Sequence, residues 1–259
     1  MQYFDSPPIV IAGVGGSGTR VVTEMLQALG IFLGTDLNEA RDNMRLAREF
    51  PRMRDRLQAL GPLAEPKSSS PARAAADAFV AETLLAFERD MYRDYLAQAE
   101  HRSGWGWKVP GNHFLISHLA SAFPGLHFVH VIRNGLDMAF SSNQNQVRNW
   151  GRHYGIDVEG LPPEEAALRF WIAANRHAVT EASRLAVRFL LLNFDDLCRS
   201  PERTATTLLT FLGRPVEQLS RITRLVKAPE SLDRHRDRDL RFVTDADRIA
   251  MREFGFATS

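Results

Sequence analysis

No feature of this chain constrains its fold more than the glycines at residues 13–18. Gly13-Val14-Gly15-Gly16-Ser17-Gly18-Thr19 directly follows the β-branched, apolar run Ile9-Val10-Ile11-Ala12. Such a run reads as a strand buried on both faces. From Thr19 onward, Val22, Met25, Leu26 and Leu29 recur at helical spacing, and Gly30 closes the pattern as a C-terminal cap would. The unit is strand, glycine-rich turn, helix. In that context consecutive backbone N–H groups and the helix N-terminus form a cradle for an anion, and glycine permits the close approach. As a Walker A loop the Gly13-x4-Gly18 spacing fits, but Thr19 stands where the lysine is needed and Arg20 where the magnesium-binding hydroxyl is needed. A nucleotide triphosphatase is therefore disfavoured. As a dinucleotide fingerprint, Gly13-x-Gly15-x-x-Gly18 fits, with Asp36 near the distance of a ribose-binding acid.

Downstream, residues 36–104 read as mainly helical, with Phe79, Leu84, Phe87, Met91 and Tyr95 in near-helical register. A second unit follows: a strand at Trp105–Val109, a helix at His113–Phe123 and a buried strand at His127–Ile132. A helix at Glu164–Arg184, a strand at Val187–Asn193 and a helix at Pro201–Leu212, closed by Gly213, complete the pattern. Strands alternating with helices predict a three-layer α/β fold with a central parallel sheet and helical insertions. At 259 residues, one domain over 1–259 is expected, with 36–104 as its mainly helical region.

Composition narrows the function. With 32 basic and 31 acidic residues there is no global field for nucleic acid, so any anion site is local. The single cysteine, Cys198, excludes an internal disulfide framework and a cysteine-based zinc site, and no carboxylate or histidine set has metal spacing. No apolar run reaches the roughly 18 residues of a transmembrane span, and no signal-like segment opens the chain. A cytoplasmic protein is expected, and the Ala/Arg-rich composition looks bacterial.

Over a hundred residues past the glycines, the strand His127–Ile132 ends in Arg133, and Ser141 follows eight residues later, expected on the next helix. An arginine fork and a hydroxyl so placed can bracket a second phosphate. With these landmarks the chain resembles the sulfotransferases that use 3′-phosphoadenosine 5′-phosphosulfate, including the tyrosylprotein, heparan and bacterial branches. The likeness spans most of the chain. Their 5′-phosphosulfate loop is similar to Gly15-Gly16-Ser17-Gly18-Thr19-Arg20, and their 3′-phosphate motif to Arg133–Ser141. Lys108-Val109-Pro110, Phe123-Pro124-Gly125, Asn193-Phe194-Asp195-Asp196-Leu197, Ser200-Pro201 and Phe211-Leu212-Gly213 resemble further family markers.

The resemblance implies a P-loop-type fold and sulfuryl transfer to a hydroxyl or amine. It also implies 3′-phosphoadenosine 5′-phosphosulfate as co-substrate, adenosine 3′,5′-bisphosphate as product, and no metal. On it, Gly15, Gly16, Ser17, Gly18, Thr19 and Arg20 hold the 5′ end, and Arg133 and Ser141 the 3′-phosphate. Arg234 or Arg236 closes from a basic C-terminal loop. Many members carry a cation just before the Ser/Gly-Gly-Thr of the loop. This chain has Gly16 there, so Lys108 and Arg20 are the candidate replacements. For the general base, Glu39 is the first choice and Asp42 the second, against the reading that both only charge a helix start. His113 does not align with the catalytic histidine of the cytosolic branch. Asp195 and Asp196 read as caps, and Trp171 and Asn175 as core. A saccharide, lipid-linked glycan, small alcohol or tyrosine all fit as acceptor. Two alternatives stand: an NAD(P)-dependent oxidoreductase using Asp36, and a catalytically inactive nucleotide-binding protein.

Overall fold

The computed structural model describes residues 3–61, 70–98 and 102–257. Its centre is a parallel sheet of β1 (Ile9–Ala12), β2 (Gly106–Lys108), β3 (His127–Ile132) and β4 (Arg188–Asn193), in the order β2-β1-β3-β4. In chain order the helices are α1 (Thr19–Ala28), α2 (Met44–Ala47), α3 (Phe50–Gln58), α4 (Pro71–Leu96), α5 (Ile116–Ala122) and α6 (Gly135–Ala139). They continue as α7 (Asn145–Trp150), α8 (Pro163–Arg184), α9 (Phe194–Arg199), α10 (Pro201–Phe211), α11 (Leu219–Thr223) and α12 (Asp245–Glu253).

Side chains alternate across a strand, so the all-apolar β1 feeds two cores. Val10 and Ala12 join Trp107, Phe128 and residues of α3, α4, α5, α8 and α12 on one face. Ile9 and Ile11 join Val129, Val131 and Leu192 with α1, α9, α10 and α11 on the other. Sheet between two helical layers is the predicted α/β architecture. Each buried Leu, Val or Phe contributes about 1.5–3 kcal/mol, and β1, with all four residues buried, anchors both layers. The long helices start where the sequence tells them to. Ser70 caps α4 by accepting from Arg73 N, with Pro71 in the first turn, and α8 opens on Pro163 with Glu164 and Glu165 behind it.

Three expectations need correction. Residues 36–43 are not helical: Arg41 has φ 65°, Leu37 and Asn43 pair in an antiparallel bridge, and Asn43 N donates to Lys108 O at 2.8 Å. Backbone groups that bond to a strand end cannot also make helical bonds. Residues 62–69 and 99–101 of the region expected to be helical lie outside the described residues. The segment expected to be helical at His113–Phe123 divides into a tight 3-10 turn at Pro110–Leu115 and then α5. Ser141 lies beyond its helix: Gln144 Nε2 donates to the carbonyls of Met138, Ala139 and Ser141, which draws the chain into a turn after α6.

Candidate active site

The C-terminal ends of the four strands converge on one edge of the sheet, and the chemistry-bearing residues lie there: Lys108 on β2, the glycine loop after β1, Arg133 after β3 and Phe194 after β4. They line a cleft of about 530 Å³. This is where open α/β sheets place their ligands.

The loop's shape requires two of its glycines. Gly16 (φ 98°) and Gly18 (φ 89°) occupy the left-handed region, and a Cβ on Gly18 would lie 2.1 Å from the Phe194 ring. Ser17 is fully buried and turned inward, its hydroxyl donating to Val14 O at 2.6 Å and its N–H to the same carbonyl at 3.0 Å. The hydroxyl of Ser17 therefore shapes the loop rather than facing the cleft. Gly15 N donates to Gln146 Oε1 at 3.0 Å. The amides of Gly16 and Gly18 have no partner among the described residues, and both residues line the cleft with Gly15, Thr19 and Arg20.

Arg133 is buried, at 4% exposure, with its guanidinium 5.6 Å from the Phe194 ring centroid. Its Nη2 donates to both oxygens of Ser231 and lies 3.4 Å from Asp137 Oδ2, while its Nε is buried with no partner among the described residues. Trp171 Nε1 donates to Arg133 O at 3.0 Å, so this tryptophan holds the arginine's backbone in addition to packing the core. Ser141 Oγ accepts from Asn143 N at 3.2 Å and lies 3.7 Å from the position a Cβ on Gly16 would take. Arg234 is turned inward, donating to Ser231 O at 3.2 Å and Phe140 O at 3.4 Å. Burial and the neighbouring Arg133 both pull its pKa down. Arg236 is 69% exposed and pairs outward with Asp233 at 3.2 Å. Of the two C-terminal arginines, Arg234 is the one beside Arg133.

Lys108, 2% exposed, donates to Ala40 O at 2.8 Å and pairs with Asp42 Oδ1. Burial lowers its pKa from the ordinary lysine value; Asp42 opposes that shift and Arg20 adds to it. Asp42 Oδ2 accepts from Asn38 Nδ2 at 2.9 Å. Arg20, at the start of α1, is exposed and lines the cleft beside Glu24. Glu39 is exposed and does not line the cleft, whereas Asp42 does. Asp36 pairs with Arg48 at 2.7 Å and also lies off the cleft wall.

His113 is buried, and burial pushes its pKa down to about 3. It lies between Tyr154 Oη (3.2 Å from Nδ1) and Gln146 Oε1 (3.5 Å from Nε2). Asp195 caps the start of the chain's turn after β3, accepting from Asn134 N at 2.9 Å, and burial raises its pKa. The cap of α9 is Asn193, which accepts from Asp195 N and Asp196 N. Asn175 Oδ1 accepts from His130 Nε2 at 2.7 Å in the core. Sequence reasoning missed four contributors: Lys227, Asn143 and Phe194 on the cleft wall, and Gln146 on the loop. Phe194 stood in a family marker, but its contact with Gly18 is tertiary. The other three carried no local signal.

Residues 7–218 match the sulfotransferase family profile. The chain belongs to that family. Among solved structures, the sulfotransferase domain of the Synechococcus PCC 7002 olefin synthase is 16% identical, with a TM-score of 0.58 over 100% of this chain and 99% of that one. A sulfotransferase from Alicyclobacillus acidocaldarius is 13% identical, with a TM-score of 0.53 over 99% and 98%. At such identity they establish the fold. No curated protein matches the sequence.

Proposed function

We propose that the chain transfers a sulfuryl group from 3′-phosphoadenosine 5′-phosphosulfate to a hydroxyl or amine of an acceptor. One observation carries the reading: among the described residues, a single cleft has unpartnered loop amides at Gly16 and Gly18 and, on its wall, Arg133 with an orphaned buried Nε. A buried donor without a partner costs about 1–3 kcal/mol, and a phosphate oxygen would recover it. Arg133 Nε is such a donor, and with the open amides of the glycine loop as a second donor place the cleft suits a ligand with two anionic ends.

In the reaction the sulfur–oxygen bond to the 5′-phosphate breaks and a bond from sulfur to the acceptor's oxygen or nitrogen forms. The leaving oxygen keeps the electron pair and the acceptor loses a proton. The residues' part is positioning and charge stabilisation. The Gly16, Gly18 and Thr19 amides hold the 5′ end; Arg133, Ser141 and Arg234 hold the 3′-phosphate. Lys108, with Arg20, neutralises the leaving oxygen. Asp42, on the cleft wall and paired with Lys108, is a better-placed proton acceptor than Glu39. Residues 36–43 thereby contribute to the acceptor side of a single domain, and the unbridged Cys198 suits a reducing, cytoplasmic setting.

Calorimetric titration with adenosine 3′,5′-bisphosphate, NAD and ATP tests the reading. Binding of the bisphosphate alone is expected; preference for NAD would return the site to the oxidoreductase alternative. Bisphosphate binding without turnover across hydroxyl and amine acceptors would mark an inactive nucleotide-binding protein.

A further inference from the structure

The phosphate loop is short of donors in two ways. Position 16 is a glycine with φ 98°, a conformation that strains any residue carrying a side-chain cation. The Gly15 N–H is already taken by Gln146 Oε1. That bond is braced from behind: Tyr154 Oη lies 3.2 Å from His113 Nδ1, and His113 Nε2 lies 3.5 Å from the same Gln146 oxygen. Burial keeps His113 neutral, so one tautomer satisfies the set. Tyr154 donates to Nδ1, and Nε2–H donates to Gln146.

Beside Gly15 stands a donor with no partner among the described residues. Asn143 lines the cleft, and its Nδ2 lies 3.6 Å from the position of a Cβ on Gly15. Its Oδ1 accepts from Asn145 N at 3.4 Å, which fixes which end of the amide faces the loop. We propose that Asn143 is a binding residue for the 5′ anion, its side-chain amide donating where the loop lacks both a cation and the Gly15 N–H. This rests on the nucleotide reading of the cleft and names a ligand for it outside the glycine loop.

The test compares adenosine 3′,5′-bisphosphate with adenosine 3′-monophosphate by calorimetry on the wild type, Asn143→Ala and Asn143→Asp. Loss of one hydrogen bond to a charged oxygen predicts about tenfold weaker bisphosphate binding by Asn143→Ala. Asn143→Asp keeps the acceptor for Asn145 and should lose more, because it sets a carboxylate against the anion. The 3′-monophosphate should bind all three proteins equally. Unchanged bisphosphate binding by Asn143→Ala, or equal weakening of both ligands, overturns the assignment while leaving the nucleotide site standing. A wild type that binds neither ligand overturns the site itself, and the proposal with it.

Discussion

Lys108 holds a positive charge in a nearly closed environment, stabilised by Asp42 and the Ala40 carbonyl. If it neutralises the leaving oxygen, Lys108→Ala should lower kcat by about 10²–10³, with adenosine 3′,5′-bisphosphate affinity changing far less. In that role the protonated form is the active one, and burial lowers its pKa below the ordinary lysine value of 10.5. The alkaline limb of kcat should therefore begin below pH 10.5 and shift upward in Lys108→Arg; a limb unmoved by that substitution contradicts the role. Between the folded pKa and 10.5 the unfolded chain binds more protons, so this residue's contribution to stability rises with pH across that window. For His113, with a folded pKa of about 3, stability falls as pH drops from about 6.5 toward 3. Removing the imidazole as His113→Gln should flatten that acid limb in a denaturation series.

The glycine loop and α9 act as one element pair, because the Phe194 ring fills the space that a Gly18 side chain would need. Gly18→Ala should destabilise the protein and weaken nucleotide binding. Phe194→Ala alone should cost about 3–5 kcal/mol. In the double variant the steric part of the Gly18→Ala penalty disappears, so the two losses should sum to more than the combined loss; strict additivity in urea denaturation would contradict the contact. Residues Ile9 to Leu29 were legible in the sequence because apolar run, glycines and helical spacing are all local signals. The helix α12 was legible too but was overlooked: Thr244 and Asp247 form a capping box. Residues 36–43 were read as part of the mainly helical stretch 36–104, yet their partners, Lys108 O for Asn43 N and the Lys108 ammonium for Asp42, are set by tertiary contacts. The same holds for Gln146 and Lys227, which reach the site from segments with no motif of their own.

At the scale of the whole molecule, residues 231–238 form a strap across the end of the sheet, and Asp137 ties it down. Its carboxylate accepts from Asp233 N at 2.8 Å, His235 N at 3.1 Å and His235 Nδ1 at 2.7 Å. Burial alone would raise the Asp137 pKa, but the His235 side chain and these backbone donors hold it below its ordinary value. The tie is therefore present at neutral pH and is lost only as pH falls through that depressed value. Asp137→Ala leaves three donors unpaired, so it should cost about 3–5 kcal/mol and open residues 231–238 to limited proteolysis; an unchanged cleavage pattern would contradict the strap. The strap brings Ser231 and Arg234 to Arg133, and so links the chain's C-terminal region to the strand ends. On the proposed reading, this end of the cleft grips a 3′-phosphate while the loop grips the 5′ end. Calorimetry with adenosine 3′,5′-bisphosphate and adenosine 5′-monophosphate, on the wild type and Arg133→Ala, tests it most directly. The wild type is expected to prefer the bisphosphate by at least about tenfold, and Arg133→Ala to lose the preference while still binding the 5′-monophosphate. A preference retained in Arg133→Ala would contradict it.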